Sequence, residues 1–165
     1  MTVKNIVQAL EKLILLHKSL IQISKNKTGV IIKGSAEELQ SILKEENKHI
    51  QAIKKLESDM LLNAKDFLLS NNFTGEPTIT ATINLANKQD KETLSILKIE
   101  LESLIKDLQE QNQLNQELLE QSLYFVNLSL DLLNPNIDSF NYGRQEEEKD
   151  LDLATKGRSL FDSKV

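Results

Sequence analysis

The chain contains no cysteine, which excludes disulfides, thiolate metal sites and a cysteine nucleophile. Two prolines and five glycines are too few for a loop-rich β sandwich or a linker protein. Aromatic residues make up only 4% of the sequence. No run of about 18 apolar residues occurs, so no membrane-spanning segment is expected. Basic charge is also in deficit: the net charge is −5, against the basic stripe of a nucleic-acid binder. Residues 1–30 do not read as a signal peptide, because Lys12, His17 and Lys18 interrupt a periodic apolar pattern. Without a signal and without cysteine, a cytoplasmic location is expected. The glycosylation triplets at Asn26, Asn72 and Asn127 then count as chance matches.

Leucine fills the space these absences leave. There are 29 Leu and 15 Ile against five Val and five Phe, together a third of the 165 residues. That is well above the roughly 20% below which chains usually stay disordered. The preference for Leu over Val suits helices rather than strands. The expected fold class is all-α: an elongated antiparallel bundle of three long helices, with a short extra helix and a flexible C-terminal tail. Residues 1–134 form the bundle in this reading, and 135–165 the tail with a recognition segment.

Val3, Ile6, Val7, Leu10, Leu13, Ile14, His17, Leu20 and Ile21 fall at three- and four-residue steps, one face of a helix. The pattern weakens over Ser24–Thr28 and returns at Ile31. Gly34 sits where a helix end favours positive φ, and Ser35 with Glu38 forms a capping box for the next helix. So short a turn makes the two helices antiparallel neighbours. The second buried stripe reads Leu39, Ile42, Leu43, Glu46, Ile50, Ile53, Leu56, Met60, Ala64, Phe67 and Leu68, ending in the turn-rich Asn71–Pro77. Thr78–Asn87 alternates like a strand but has no second strand to pair with, so it reads as a short helix or ordered loop.

Asp90 is placed to cap a third long helix. Its stripe runs through Leu94, Leu97, Leu101, Leu104, Ile105, Leu108, Leu118, Leu119, Ser122, Phe125, Val126, Ser129, Leu132 and Leu133. Gln109–Glu117 holds one apolar residue, and Gln111, Asn112 and Asn115 occupy places where Leu is expected. Polar seam residues fix register or partner choice; the other reading is a helix that runs past its partners here. Either way the stretch divides the helix. Beyond it, Leu118–Leu133 is apolar on more than one face and needs cover on most sides. With only two other long helices, a bundle wall is missing. A partner's amphipathic helix, a second copy or the tail could supply it. Asn134-Pro135-Asn136 ends the helix. The last residues carry the charge run Glu146–Asp150 and isolated apolar spots, which cannot alone offset their ordering entropy.

Catalytic machinery is not visible, so no enzyme and no cofactor is expected. Glu46 and His49 form one Glu-x-x-His step, but His17 has Ile14 three residues before it, and a di-metal bundle needs the step twice. No Gly-rich phosphate loop precedes a Lys-Ser or Lys-Thr pair. Long helices with few glycines rarely build an oxyanion hole. What is left is to hold another molecule.

At this point the sequence resembles the FlgN-type flagellar export chaperones over nearly its whole length. The shared features begin with Leu10-Glu11, Leu16-His17-Lys18, Lys33-Gly34-Ser35, Leu39, Ile42-Leu43 and Glu46, then Ile50, Ile53, Leu56 and Glu57. Sharper is Asn127, Leu132-Leu133 and Pro135, then, after six intervening residues, Tyr142-Gly143. Ser159–Lys164 resembles the tail of some members, and Met60 departs from an Arg common there. The resemblance implies a cytoplasmic type III export chaperone, without ATPase activity, for the two hook–filament junction proteins. It covers their amphipathic terminal helices before secretion; self-association of the client-free chain is a separate expectation, left open by the sequence. It also implies that Tyr142, beside Gly143, docks on the cytoplasmic domain of the export gate. The C-terminal part of the family carries client binding, which nominates Leu123, Phe125, Val126, Leu130 and Leu133. Leu160 and Phe161 in the tail are further partner-binding candidates. A self-assembling coiled-coil subunit without a secreted client is the alternative.

Overall fold

The computed structural model describes residues 3–133, and every one of its regular elements is a helix. These are α1 (Val3–Lys33), α2 (Ala36–Ser70), α3 (Ile79–Leu85) and α4 (Lys88–Leu133), with no strand among the described residues. None of them is long and apolar enough to cross a membrane. The chain divides into two units, the first ending at Asn115 and the second beginning at Gln116.

Backbone chemistry fixes each helix end. Gly34 takes φ 75, which costs glycine little, and its N–H bonds back to Val30 O at 3.0 Å. Ser35 then caps α2, its hydroxyl accepting from the Glu38 N–H. Only half of the expected capping box forms, since the Glu38 carboxylate pairs with Lys33 instead. At the far end Asn72 supplies the left-handed residue (φ 57), and Phe73 N–H reaches Leu68 O at 3.0 Å while Asn72 N–H reaches Leu69 O at 3.1 Å. That is the double-bonded Schellman stop, built on Asn rather than Gly. Thr78 caps α3 by accepting from the Ala81 N–H at 3.0 Å, so the strand-like alternation of 78–83 is helical.

One sequence expectation about α4 is corrected here. Its cap is Asn87, not Asp90: Asn87 Oδ1 accepts the Asp90 N–H at 2.9 Å, and Asp90 holds the Asn87 side-chain amide at 2.7 Å. As expected, the polar stretch 109–117 divides α4 without breaking it: the helix is continuous, and the boundary between the two units falls after Asn115.

Within the first unit, α1 is the most deeply buried helix. Ile6, Leu10 and Leu13 are fully enclosed, with Met60 of α2 and Leu94 and Leu101 of α4. Lys33, Lys27 and Ser19 pair with Glu38, Glu46 and His49, so partner numbers rise on α2 as they fall on α1. The two helices are therefore antiparallel. Lys18 pairs with Glu100 and Thr28 with Asn115, so α4 runs parallel to α1, giving an up-down-up order. Leu43 and Ile50, expected on the buried stripe of α2, are exposed. The α1 contact at this level uses Glu46 and His49 instead.

The weak point of the α1 pattern, Ser24–Thr28, is a continuous helix facing the polar stretch of α4. Asn115 Nδ2 donates to the Ser24 carbonyl at 2.8 Å and to Ser24 Oγ at 3.1 Å. Ser24 Oγ donates to Asn112 Oδ1 at 2.8 Å, Thr28 Oγ1 to Asn115 Oδ1 at 2.5 Å, and Gln111 Nε2 to Thr28 Oγ1 at 2.7 Å. Ser24 and Asn115 are buried, and among the described residues no buried side-chain polar atom lacks a partner. A fully satisfied polar layer sets register at little cost in stability, whereas a half-satisfied one destabilises. Of the two readings of Gln111, Asn112 and Asn115, these bonds overturn the one in which the helix runs past its partners here.

Candidate functional site

The candidate site is the described part of the second unit, the end of α4 from Gln116 to Leu133. Leu123, Tyr124, Phe125, Val126, Leu128, Leu130, Leu132 and Leu133 are between 44% and 81% exposed. Isolated exposed leucines are ordinary, but eight large apolar side chains within eleven residues form a patch of the kind that marks an interaction surface.

Helical geometry orders these residues. Leu94, Leu97, Leu101, Leu104, Leu108, Gln111, Asn115, Leu118, Ser122, Phe125, Ser129 and Leu132 follow one another at alternating steps of three and four. This is the seam spacing of a coiled coil. On one side of that seam, one and five positions along, lie Leu119, Val126 and Leu133, then Leu123 and Leu130. Together with Leu118, Phe125 and Leu132 they make one continuous apolar arc. Equivalent places farther up the helix are mostly polar: Lys98, Ile105 and Asn112, then Ser95, Glu102 and Gln109. An arc this broad is apolar over more surface than one neighbouring helix covers.

Two serines lie within the arc, and both are prepared for burial. Ser122 Oγ donates to Leu118 O at 2.9 Å and Ser129 Oγ to Phe125 O at 2.8 Å, each bond closing on its own helix. Covering them leaves no orphan hydroxyl. Beside Leu123 and Leu130, the arc is bordered by Asn127 and Glu120, while Asp131 lies on the face opposite the arc. The section carries three carboxylates (Glu117, Glu120 and Asp131) and no Lys, Arg or His.

All five candidates nominated on α4 (Leu123, Phe125, Val126, Leu130 and Leu133) fall on this arc, and all are exposed. Ser122, Phe125, Val126, Leu132 and Leu133 were expected on a buried stripe; among the described residues they have no cover. Tyr142, Gly143, Leu160 and Phe161 lie outside the described residues, as does the whole of 135–165. Ser122 and Ser129 stood on the expected stripe of the helix but were not nominated as partner-binding residues. Their seven-residue spacing, in step with Leu118, Phe125 and Leu132, was the available signal.

The titratable groups with displaced pKa values lie elsewhere, on α1 and α2. Burial of His17 holds its pKa below 6.5, opposed by its Nδ1–H bond to Leu13 O at 2.8 Å. Burial raises the Glu57 carboxyl above its usual value, opposed by nearby Lys54. Among the described residues, no three His, Cys, Asp or Glu side chains are grouped to hold a metal. His49, flagged with Glu46 by spacing, has its ring between the Glu45 carbonyl and Ser19 Oγ, while Glu46 holds Lys27 at 2.9 Å.

Among the described residues, fold and site define an all-helical protein that buries the upstream seam of α4 and shows a broad apolar face at the end of that helix. The family model described as FlgN protein matches residues 1–149, and the chain belongs to the FlgN family. It is 34% identical over 165 residues to YvyG of Bacillus subtilis (strain 168), described as an uncharacterized protein, with both chains covered in full. No solved structure matches it. Membership of this family suggests a flagellar export chaperone role.

Proposed function

We propose that this protein is a cytoplasmic, non-enzymatic type III export chaperone for the flagellar hook–filament junction proteins. Its client is the amphipathic C-terminal helix through which such a protein polymerises. The open arc of α4, from Leu118 to Leu133, lies against that helix and keeps it from premature assembly. The observation that carries this reading is the exposure of Leu123, Phe125, Val126, Leu130 and Leu133 on one helix face. A lone amphipathic helix seated on such a face is a recurring recognition mode, read through anchors at three- and four-residue steps.

Delivery to the cytoplasmic domain of the export gate falls to Tyr142, with Gly143 beside it. Tyrosine suits an anchor role because it offers a large surface and a hydrogen-bonding tip at low entropy cost. Tyr142→Ala should weaken gate docking by roughly 2 kcal/mol while client affinity stays unchanged. Equal loss of both would make the residue structural and end the assignment.

Size-exclusion chromatography with light scattering tests the client claim. The chain alone is compared with the chain plus a junction-protein fragment carrying its C-terminal helix. A discrete one-to-one complex supports the proposal. An unchanged mass, from a chain that is already a stable dimer or tetramer, favours the self-assembling coiled coil.

A further inference from the structure

The arc at the end of α4 is wider than one packed row. Leu118, Ser122, Phe125, Ser129 and Leu132 step by four and three, and Leu119, Leu123, Val126, Leu130 and Leu133 repeat those steps one residue later. One residue along a helix is a turn of about 100°, so the second row faces roughly at right angles to the first. No charged residue lies in either row or between them, and both serines bond back to their own helix. One neighbouring helix covers an apolar stripe about 100° wide. Two rows at this angle describe a helix at the corner of a four-helix bundle, touching two neighbours at once.

Upstream, α4 is apolar only along the first of these rows. Leu94 and Leu101 belong to it and are fully enclosed. The second row there reads Ser95, Lys98, Glu102, Ile105, Gln109 and Asn112, which is mostly polar. Beyond Leu118, apolar surface fit for one partner becomes surface fit for two, on the same uninterrupted helix.

The presence of two rows narrows the occupant. A second copy of this chain brings its own α4 end, a single helix, and leaves one row bare. Residues 134–165 contain Pro135, Gly143 and Gly157, and their apolar residues nowhere continue through five helical positions as each row does. A partner that presents two helices side by side fills both rows. We propose that the arc seats a helical hairpin of the client, one helix on each row, with uncharged apolar faces where they meet it. This rests on the client-binding reading above and adds to it. The client's C-terminal helix takes one row, and a second helical segment of the same client takes the other.

Calorimetry on the full chain tests this with two synthetic probes. One is a single amphipathic helix as long as the 116–133 section; the other joins two such helices through a short Gly-containing turn. The single helix should bind with two copies per chain, and the hairpin with one, at least about tenfold more tightly. Phe125→Lys with Leu132→Lys closes the first row, and Val126→Lys with Leu130→Lys closes the second. Either pair should reduce the single helix to one copy per chain and remove the hairpin's advantage. These four side chains are exposed, so helicity and melting temperature serve as the folding control.

One copy of the single helix on the native chain, weakened equally by either pair, would overturn the proposal. So would a native dimer or tetramer, seen by light scattering, that either pair dissociates, because the rows then join copies of this chain. Slow amide exchange in 134–165 that either pair releases would make the occupant the chain's own end. The junction-protein fragment carrying its C-terminal helix, run in parallel, separates this inference from the function above. Where both hold, the bound fragment leaves room for one further single helix. If the fragment binds, both pairs weaken it alike and no single helix joins it, the chaperone reading stands and this inference falls. If two single helices and the hairpin bind while the fragment does not, the two-helix surface stands without the junction-protein client.

Discussion

Two stretches of α4 obey the same spacing and meet different fates. Leu94 and Leu101 are 0% exposed, with Leu97, Leu104 and Leu108 half-buried between and after them. Leu118, Ser122, Phe125, Ser129 and Leu132 continue the steps of three and four, yet Phe125 and Leu132 are exposed at 68% and 77%. The neighbouring positions differ as well. Upstream they are largely Lys, Glu, Gln and Asn; downstream they are Leu, Val and Leu. The bundle covers the upstream seam, leaving Ile96 and Ile99 exposed off it, whereas downstream the seam itself is exposed. Surplus apolar surface on a helix face, kept through evolution of a soluble bundle or not, is physically a demand for cover. Between the two stretches lies the polar layer of Gln111, Asn112 and Asn115 on Ser24 and Thr28.

The largest expected effect contrasts one leucine with one phenylalanine. Leu101→Ala, which empties a fully enclosed site, should cost about 3 kcal/mol of unfolding free energy. Phe125→Ala removes a larger side chain from an exposed site and should cost under about 0.5 kcal/mol in denaturant melts. Comparable losses would break the contrast. The polar layer comes next. Asn115→Ala leaves the Ser24 and Thr28 groups short of partners and should cost about 2 kcal/mol. A neutral result would mean that the layer plays no part in joining α4 to α1.

The smallest effect concerns pH. Burial holds the His17 pKa below 6.5, so the folded state binds its proton less readily than the unfolded chain. Its contribution is complete above pH 6.5 and declines as the pH falls below that value toward the folded pKa. His17→Phe should flatten this part of the stability profile, and Phe125→Ala should leave it unchanged. Melts at a series of pH values between neutral and mildly acidic check both.

Much of the fold was legible because helix ends announce themselves. Gly34 with Ser35, the Asn71-Asn72 stop and the apolar steps of α1 each have one physical interpretation that the backbone then realises. The cap of α4 was misplaced by three residues because Asn87 and Asp90 are both capping types, and only geometry shows which one caps and which reaches back. Leu43, Ile50 and the stripe beyond Leu118 were placed in a core they do not enter. Periodicity reports that a face is fit for burial; it does not report whether the covering surface belongs to the same chain. The polar layer was half legible for a related reason. Ser24–Thr28 and Gln111–Asn115 each stood out as lapses in an apolar pattern, but only the fold shows that one lapse answers the other.

Hydrogen–deuterium exchange on the full chain, with and without the junction-protein C-terminal fragment, puts the central claim to its most direct test. The account predicts that the fragment slows exchange across 116–133 and leaves 94–108 unchanged, because the upstream seam is already covered by the bundle. Protection that appears in 94–108 instead, or nowhere on α4, would contradict it.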